Sequence, residues 1–273
     1  MTRSNPPAPA RAITILGIPY DGSSSFEQGA ARGPAEIRRC LFRASSNSWT
    51  EFGVDLGAPG AIQDAGDVVC GDPASTRAAI EAAVTKLLEE DATPFMLGGD
   101  HSVTYPILRS FGKRYGPVNV LHFDAHGDLY DNLDGDRYSH ACPLARALED
   151  GMVKRLVQIG IRTFNADQRA QVKRFGVEVI EMRDWTGAPA LSFDGPLYVT
   201  LDLDVLEPGL CPGLAHPEPG GLSVREVLQA IHRVRGTIVG ADVVELNPRF
   251  DDSPISGMVA VKFVKELAAR MLS

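Results

Sequence analysis

Three strand-length apolar runs in this chain end in acid, and that pattern narrows the possible folds more than any other feature. Residues 95–97 run into Gly98, Gly99, Asp100 and His101; residues 118–123 run into Asp124, Ala125, His126, Gly127 and Asp128; residues 197–201 run into Asp202, Leu203 and Asp204. Continuous hydrophobic runs of this kind read as buried parallel strands. In open α/β sheets, ligands collect beyond the carboxyl ends of such strands. Asp124, Asp128, Asp202 and Asp204 with His101 and His126 then converge on one small volume, which is tenable only if something cationic neutralises them. A single aspartate at a strand end is ordinarily a helix cap or turn residue, but six ligand-type residues at three strand ends would need six separate explanations of that sort. The set points to a site for two divalent metals.

The rest of the chain bounds this reading. Its 273 residues with 44% hydrophobic content suffice for a sizeable core. A formal charge of −8, with basic residues scattered, argues against nucleic-acid binding. No apolar run approaches the roughly 20 residues of a membrane span. Cys40, Cys70, Cys142 and Cys211 lack metal-type spacing, so reduced thiols in a cytoplasmic protein are expected. Residues 1–11 are Pro-rich without a hydrophobic signal core and read as a flexible tail, leaving 12–273 as one domain.

Strand and helix patterns alternate with Gly or Pro punctuation, the signature of an α/β fold with a parallel sheet covered on both faces. Strands are expected at 12–18, 94–98, 117–123, 155–161, 176–180, 196–203 and 237–245. Helices are expected at 33–43, 74–91, 102–115, 140–150, 166–175, 223–235 and 256–271. Gly33 and Pro34 suit a helix start, and Ser223 with Glu226 fits a capping box. Three long loops, 19–32, 127–139 and 205–222, each follow a strand and so belong at the rim that carries the acids.

The ligand chemistry is oxygen-rich with a minority of imidazole and no thiolate. That favours a hard divalent ion such as Mn²⁺, with Co²⁺ or Ni²⁺ permitted. Asp124, His126 and Asp128 alternate, as do Asp202 and Asp204, so each set shares one face of an extended segment. His122 reads as a core histidine turned away from these ligands, His232 as exposed in mid-helix, and His216 as a loop residue near the pocket.

The same residues resemble the ureohydrolase family of arginases and agmatinases: Gly98 to Ser102, Asp124 to Asp128, and Leu201 through Asp204 to Pro208. Tyr138 to Ala141, Lys173 to Val177, Glu181 to Arg183 and His216 to Ser223 are similar to the plant-type arginase branch, and Gly240 to Pro248 resembles the family's last strand. The resemblance implies a three-layer α/β/α single domain around a central eight-stranded parallel sheet, and a homotrimer or homohexamer. It implies two Mn²⁺ per chain, one on His101, Asp124, Asp128 and Asp202, the other on Asp124, His126, Asp202 and Asp204. The implied activity is hydrolysis of a guanidinium group to urea and an amine by a metal-bridging hydroxide, with arginine or agmatine as substrate and ornithine or putrescine as product. Asp128 then has a catalytic role through the metal, Glu245 pairs with the planar guanidinium, and His140 shuttles a proton to the departing amine.

What lies at the far end of the substrate is less constrained. Asn132, Asp136 and Asn165 are candidates to hold it, with Asp131, Asp134 and Arg137 on the same loop as Asn132 and Asp136; a solvated surface is the alternative for the loop acids. Asp136 departs from the asparagine of the plant pattern, which keeps 4-guanidinobutyrate and 3-guanidinopropionate open. Outside this reading stand a related single-zinc amide hydrolase of deacetylase type and a catalytically silent subunit of a mixed oligomer. The full ligand set and Glu245 speak against both.

Overall fold

The computed structural model describes residues 12–273; the segment 1–11, read from the sequence as a flexible tail, lies outside the described residues. The strands are β1 Ile13–Gly17, β2 Ile62–Asp67, β3 Thr93–Leu97, β4 Val118–Phe123, β5 Val153–Ile161, β6 Glu178–Glu181, β7 Ser192–Asp202 and β8 Arg235–Val244. They form one sheet in the order β2-β1-β3-β8-β7-β4-β5-β6, and every neighbouring pair is parallel. The helices are α1 Gly33–Leu41, α2 Pro73–Glu89, α3 Thr104–Tyr115, α4 Pro143–Glu149, α5 Ala166–Phe175, α6 Val224–Arg233 and α7 Ile255–Met271.

Side-chain alternation along the strands builds the two outer layers. Phe95, Leu97, Val199 and Leu201 point to one face, against Ile37 of α1, Val227 and Ile231 of α6, and Val261, Val264 and Leu267 of α7. Met96, Val118, Val120 and Tyr198 point to the other, against Ile80 and Val84 of α2, Ile107 and Phe111 of α3, and Leu144 of α4. The central strands β3, β8, β7 and β4 are adjacent, and their carboxyl ends carry the acids that the apolar runs flagged. Gly33 and Pro34 open α1, and Ser223 and Glu226 form a reciprocal capping box on α6.

Two elements differ from the sequence expectation. β2 was not expected, because Ile62–Asp67 is polar and almost wholly exposed; it is an edge strand whose pairing with β1, not burial, defines it. The helix expected at 140–150 begins only at Pro143, which leaves His140 in the preceding loop. His232 is also not simply exposed: it lies edge-on to Phe52 at 4.5 Å, and its Nε2 is 3.3 Å from the buried Glu266 carboxylate.

Candidate active site at the sheet rim

Gly98 and Gly99 carry the chain sharply out of β3; a Cβ at Gly99 would collide with the Tyr20 carbonyl. Asp100 is not aimed at the acid cluster. It accepts from the Ser23 and Ser102 amides and the Ser102 hydroxyl, capping the turn that presents His101. Burial and the nearby Glu245 charge push its carboxyl up to about 7.

His101 is the focus of the cluster. Its Nδ1 is buried without a hydrogen-bond partner, yet three carboxylate oxygens converge on it: Asp124 at 3.1 Å, Asp128 at 3.0 Å and Asp202 at 3.2 Å. On the far side of the ring, Nε2 lies 2.9 Å from Thr200 Oγ1, whose proton goes to Asp242 at 2.6 Å. That leaves the Thr200 oxygen to accept from Nε2–H, so the neutral tautomer turns its Nδ1 lone pair toward the acids. Asp242 also accepts from the hydroxyls of Tyr198 and Thr104.

The second group is Asp124, His126 and Asp204, whose ligand atoms lie within 4.8 Å of one another. His126 Nδ1 is 2.7 Å from Asp204 and 3.4 Å from Asp124. Burial opposes a charge on His126, but Asp204 and Asp124 outweigh it and push the pKa up to about 12. Burial and the neighbouring Asp124 charge raise Asp204 to about 6, and Asp202 is pushed up by burial and by Asp204 and Asp124 together. Asp100, Asp124, Asp128, Asp202, Asp204, Asp242 and Glu245 are all buried in this region, and no lysine or arginine side chain pairs with any of them among the described residues. An orphaned imidazole nitrogen ringed by carboxylates that no lysine or arginine neutralises is chemistry suited to divalent metal ions.

His122 is buried as the sequence suggested, but it does not face away from the ligands. Gln158 Nε2 is fixed by the Gly127 carbonyl at 2.6 Å and donates to His122 Nδ1 at 2.9 Å. His122 Nε2–H therefore donates to Asp124 Oδ2 at 2.7 Å and steadies that carboxylate.

A cavity opens over the cluster, lined by His126, Asp128, Asp202 and Asp204 at its floor and by Ser25, Tyr130, Leu133, His140, Leu214, His216 and Glu245 on its walls. Glu245 leaves β8 with φ 64° and Asp128 has φ 52°, left-handed conformations that cost an ordinary side chain about 1–3 kcal/mol and concentrate at functional sites. Glu245 Oε1 accepts from the His101 amide at 2.8 Å, and His140 Nδ1 stands 3.5 Å from it; Oε2 is buried and unpartnered. Burial disfavours the His140 cation, but Glu245 prevails and raises its pKa to about 9.

The residues considered for the substrate tail lie elsewhere or have other partners. Asn132 accepts from Gly135 and Asp136 from Tyr138 within their own turn, and neither lines the cavity. Asp131 is paired with Arg146 at 2.9 Å and Arg137 with Glu149 at 2.8 Å. Asn165 caps α5 and donates to the Tyr130 hydroxyl, so it touches the cavity wall from behind. Ser25, Tyr130, Thr163 and Gln168 line the cavity without having been singled out from sequence, because loop residues carry no periodic signal. Asp242 did carry one: an acid inside an apolar strand.

The arginase family's sequence profile matches residues 11–269. The chain belongs to the arginase family. Arginase 2, chloroplastic/mitochondrial, of Arabidopsis thaliana is 41% identical over 96% of this chain and 81% of its own. Guanidinopropionase of Pseudomonas aeruginosa is 35% identical over 94% of this chain and 86% of its own. The solved arginase of Medicago truncatula superposes with a TM-score of 0.91 at 40% identity, covering 96% of this chain and 88% of that one. Membership makes the chain a hydrolase of amidine carbon–nitrogen bonds, and the plant arginases support the branch read from its motifs.

Proposed function

We propose that this member of the family is a dinuclear manganese amidinohydrolase that releases urea from arginine. The observation that carries the reading is Glu245 Oε2, a buried carboxylate oxygen without a partner in the cavity that the acid cluster floors. A guanidinium offers only N–H donors and a positive charge, which is what such an oxygen lacks. Two divalent ions on His101, Asp124, His126, Asp128, Asp202 and Asp204 would supply a hydroxide nucleophile from water near neutral pH.

The chain's own groups account for the remainder. Glu245 is held through Oε1 and presents Oε2, which anchors the guanidinium over the cluster. His140 carries a proton at neutral pH and delivers it to the departing amine, with Ser25 Oγ 2.9 Å from its Nε2. The outer wall of the cavity, formed by Ser25, Tyr130, Leu133, Ala141, Thr163, Gln168, Leu214 and Ala215, bears no formal charge. A zwitterionic tail of zero net charge suits that wall better than agmatine's lone ammonium or a guanidino acid's lone carboxylate.

Protein loaded with Mn²⁺ should hold two ions per chain and release urea and ornithine from arginine. Agmatine, 4-guanidinobutyrate and 3-guanidinopropionate should show at least tenfold lower kcat/KM. One ion per chain, or no urea from any of the four, would refute the reading.

A further inference from the structure

Of the residues lining the cavity, two have a buried side-chain atom with no hydrogen-bond partner: Glu245 Oε2 and His216 Nε2. The first has its explanation in guanidinium binding; the second does not yet. The loop carrying His216 is built to hold it in place. On one side, Gly213 is pinned through its carbonyl to the Asn247 amide and through its amide to Ser256 Oγ, both at 2.8 Å. On the other, the Arg162 guanidinium grips the Glu218 carbonyl together with those of Gly160 and Asp204, and Glu207 accepts from the Gly220 and Gly221 amides. Between these anchors the His216 ring lies 4.9 Å from that of His140, inclined by 30°, and 6.4 Å from that of His126.

We infer that His216 is a substrate-binding residue whose Nε2 accepts a hydrogen bond from a guanidinium N–H, alongside the one taken by Glu245 Oε2. This rests on the guanidinium reading of the cavity. A guanidinium has donors on three nitrogens, so one carboxylate oxygen cannot satisfy it, and a neutral imidazole nitrogen is a fitting second acceptor. Burial and the nearby His140 charge hold His216 below its usual pKa, so the neutral ring has a lone pair to offer. The contact also gives orientation: acceptors on two walls fix the rotation of the planar group, which one alone would leave free.

The test compares His216→Leu and His216→Gln with wild type in the manganese-loaded protein, using guanidinium chloride and ornithine as separate probes in calorimetry and as inhibitors of arginine turnover. In His216→Leu, guanidinium binding should weaken and KM for arginine rise by roughly ten- to a hundredfold. Ornithine, which has the tail but no guanidinium, should bind within about twofold of wild type, and metal content should be unchanged. Gln, with an amide oxygen near the Nε2 position, should recover most of the guanidinium affinity. Unchanged guanidinium binding in the Leu variant, or equal losses for guanidinium and ornithine, would overturn the assignment. Because guanidinium binding is read without turnover, a wild-type protein that hydrolyses nothing would refute the functional reading while still reporting on His216.

Discussion

His101 Nε2 stands 2.9 Å from the Thr200 hydroxyl, and that hydroxyl donates to Asp242 at 2.6 Å. The relay fixes which nitrogen of His101 faces the acids. Thr200→Val keeps the shape of the side chain and removes both hydrogen bonds, freeing the imidazole to adopt the wrong tautomer. Affinity for Mn²⁺ should fall by about 10–100-fold, read by competition with a chelator, while far-UV circular dichroism stays as in wild type. Unaltered metal affinity would show that the relay serves packing alone.

Metal loading should release protons. In the metal-free protein Asp204 and Asp124 raise His126 to about 12, so it holds a proton at pH 8; as a ligand it must give that proton up. Calorimetry in two buffers of different ionisation enthalpy should report release of at least one proton per chain. Stability follows the same linkage. For His126 the folded pKa lies above the unfolded value of about 6.5, so its contribution is full below pH 6.5 and is lost as pH rises toward 12. Metal-free protein should therefore lose Tm between pH 7 and 10, and the loaded protein should lose much less. Equal pH dependence of the two forms would contradict the assigned ligands.

The acid cluster was readable because it interrupts apolar runs at their ends, where a strand has no packing reason to carry charge. The parallel sheet and its two helix layers followed from the same runs. β2 was not readable, since Ile62–Asp67 earns its place by edge pairing rather than by burial or alternation. Asp242 lies in plain view within an apolar strand, yet its role depends on Tyr198, Thr200 and Thr104 meeting it from neighbouring elements. Arg162, Ser25 and the unpartnered His216 nitrogen are products of loop packing, which no periodicity encodes. Asn132 and Asp136 show the reverse: their residue types suggested substrate contacts, while their side chains close local turns.

Asp128 tests the metal assignment from the side of the ligands. Its carboxylate lies 3.0 Å from the orphaned His101 nitrogen, and its backbone is held at φ 52°. Asp128→Asn preserves size and tolerates that backbone, but removes a charge. Metal retention and urea release should fall together, by at least tenfold, and excess Mn²⁺ should restore part of the activity. Full activity after exhaustive chelation of the variant would remove Asp128 from the ligand set.

Glu245 and His140 share a wall but have separable tasks. Glu245→Gln keeps the His101 amide contact through the new amide oxygen while removing the charge that faces the cavity. It should raise KM for arginine and lower kcat, since the guanidinium is both held and oriented by that group. It should also lower the pKa of His140, whose rise to about 9 is owed to Glu245. His140→Asn should instead leave arginine binding within a few fold and reduce kcat by about 10²–10⁴, the usual worth of a positioned proton donor. The diagnostic is the pH profile. If protonated His140 is the donor, wild-type kcat should decline as pH passes about 9, and that limb should be absent in His140→Asn. A profile that keeps its alkaline limb in the variant would assign the proton to another group.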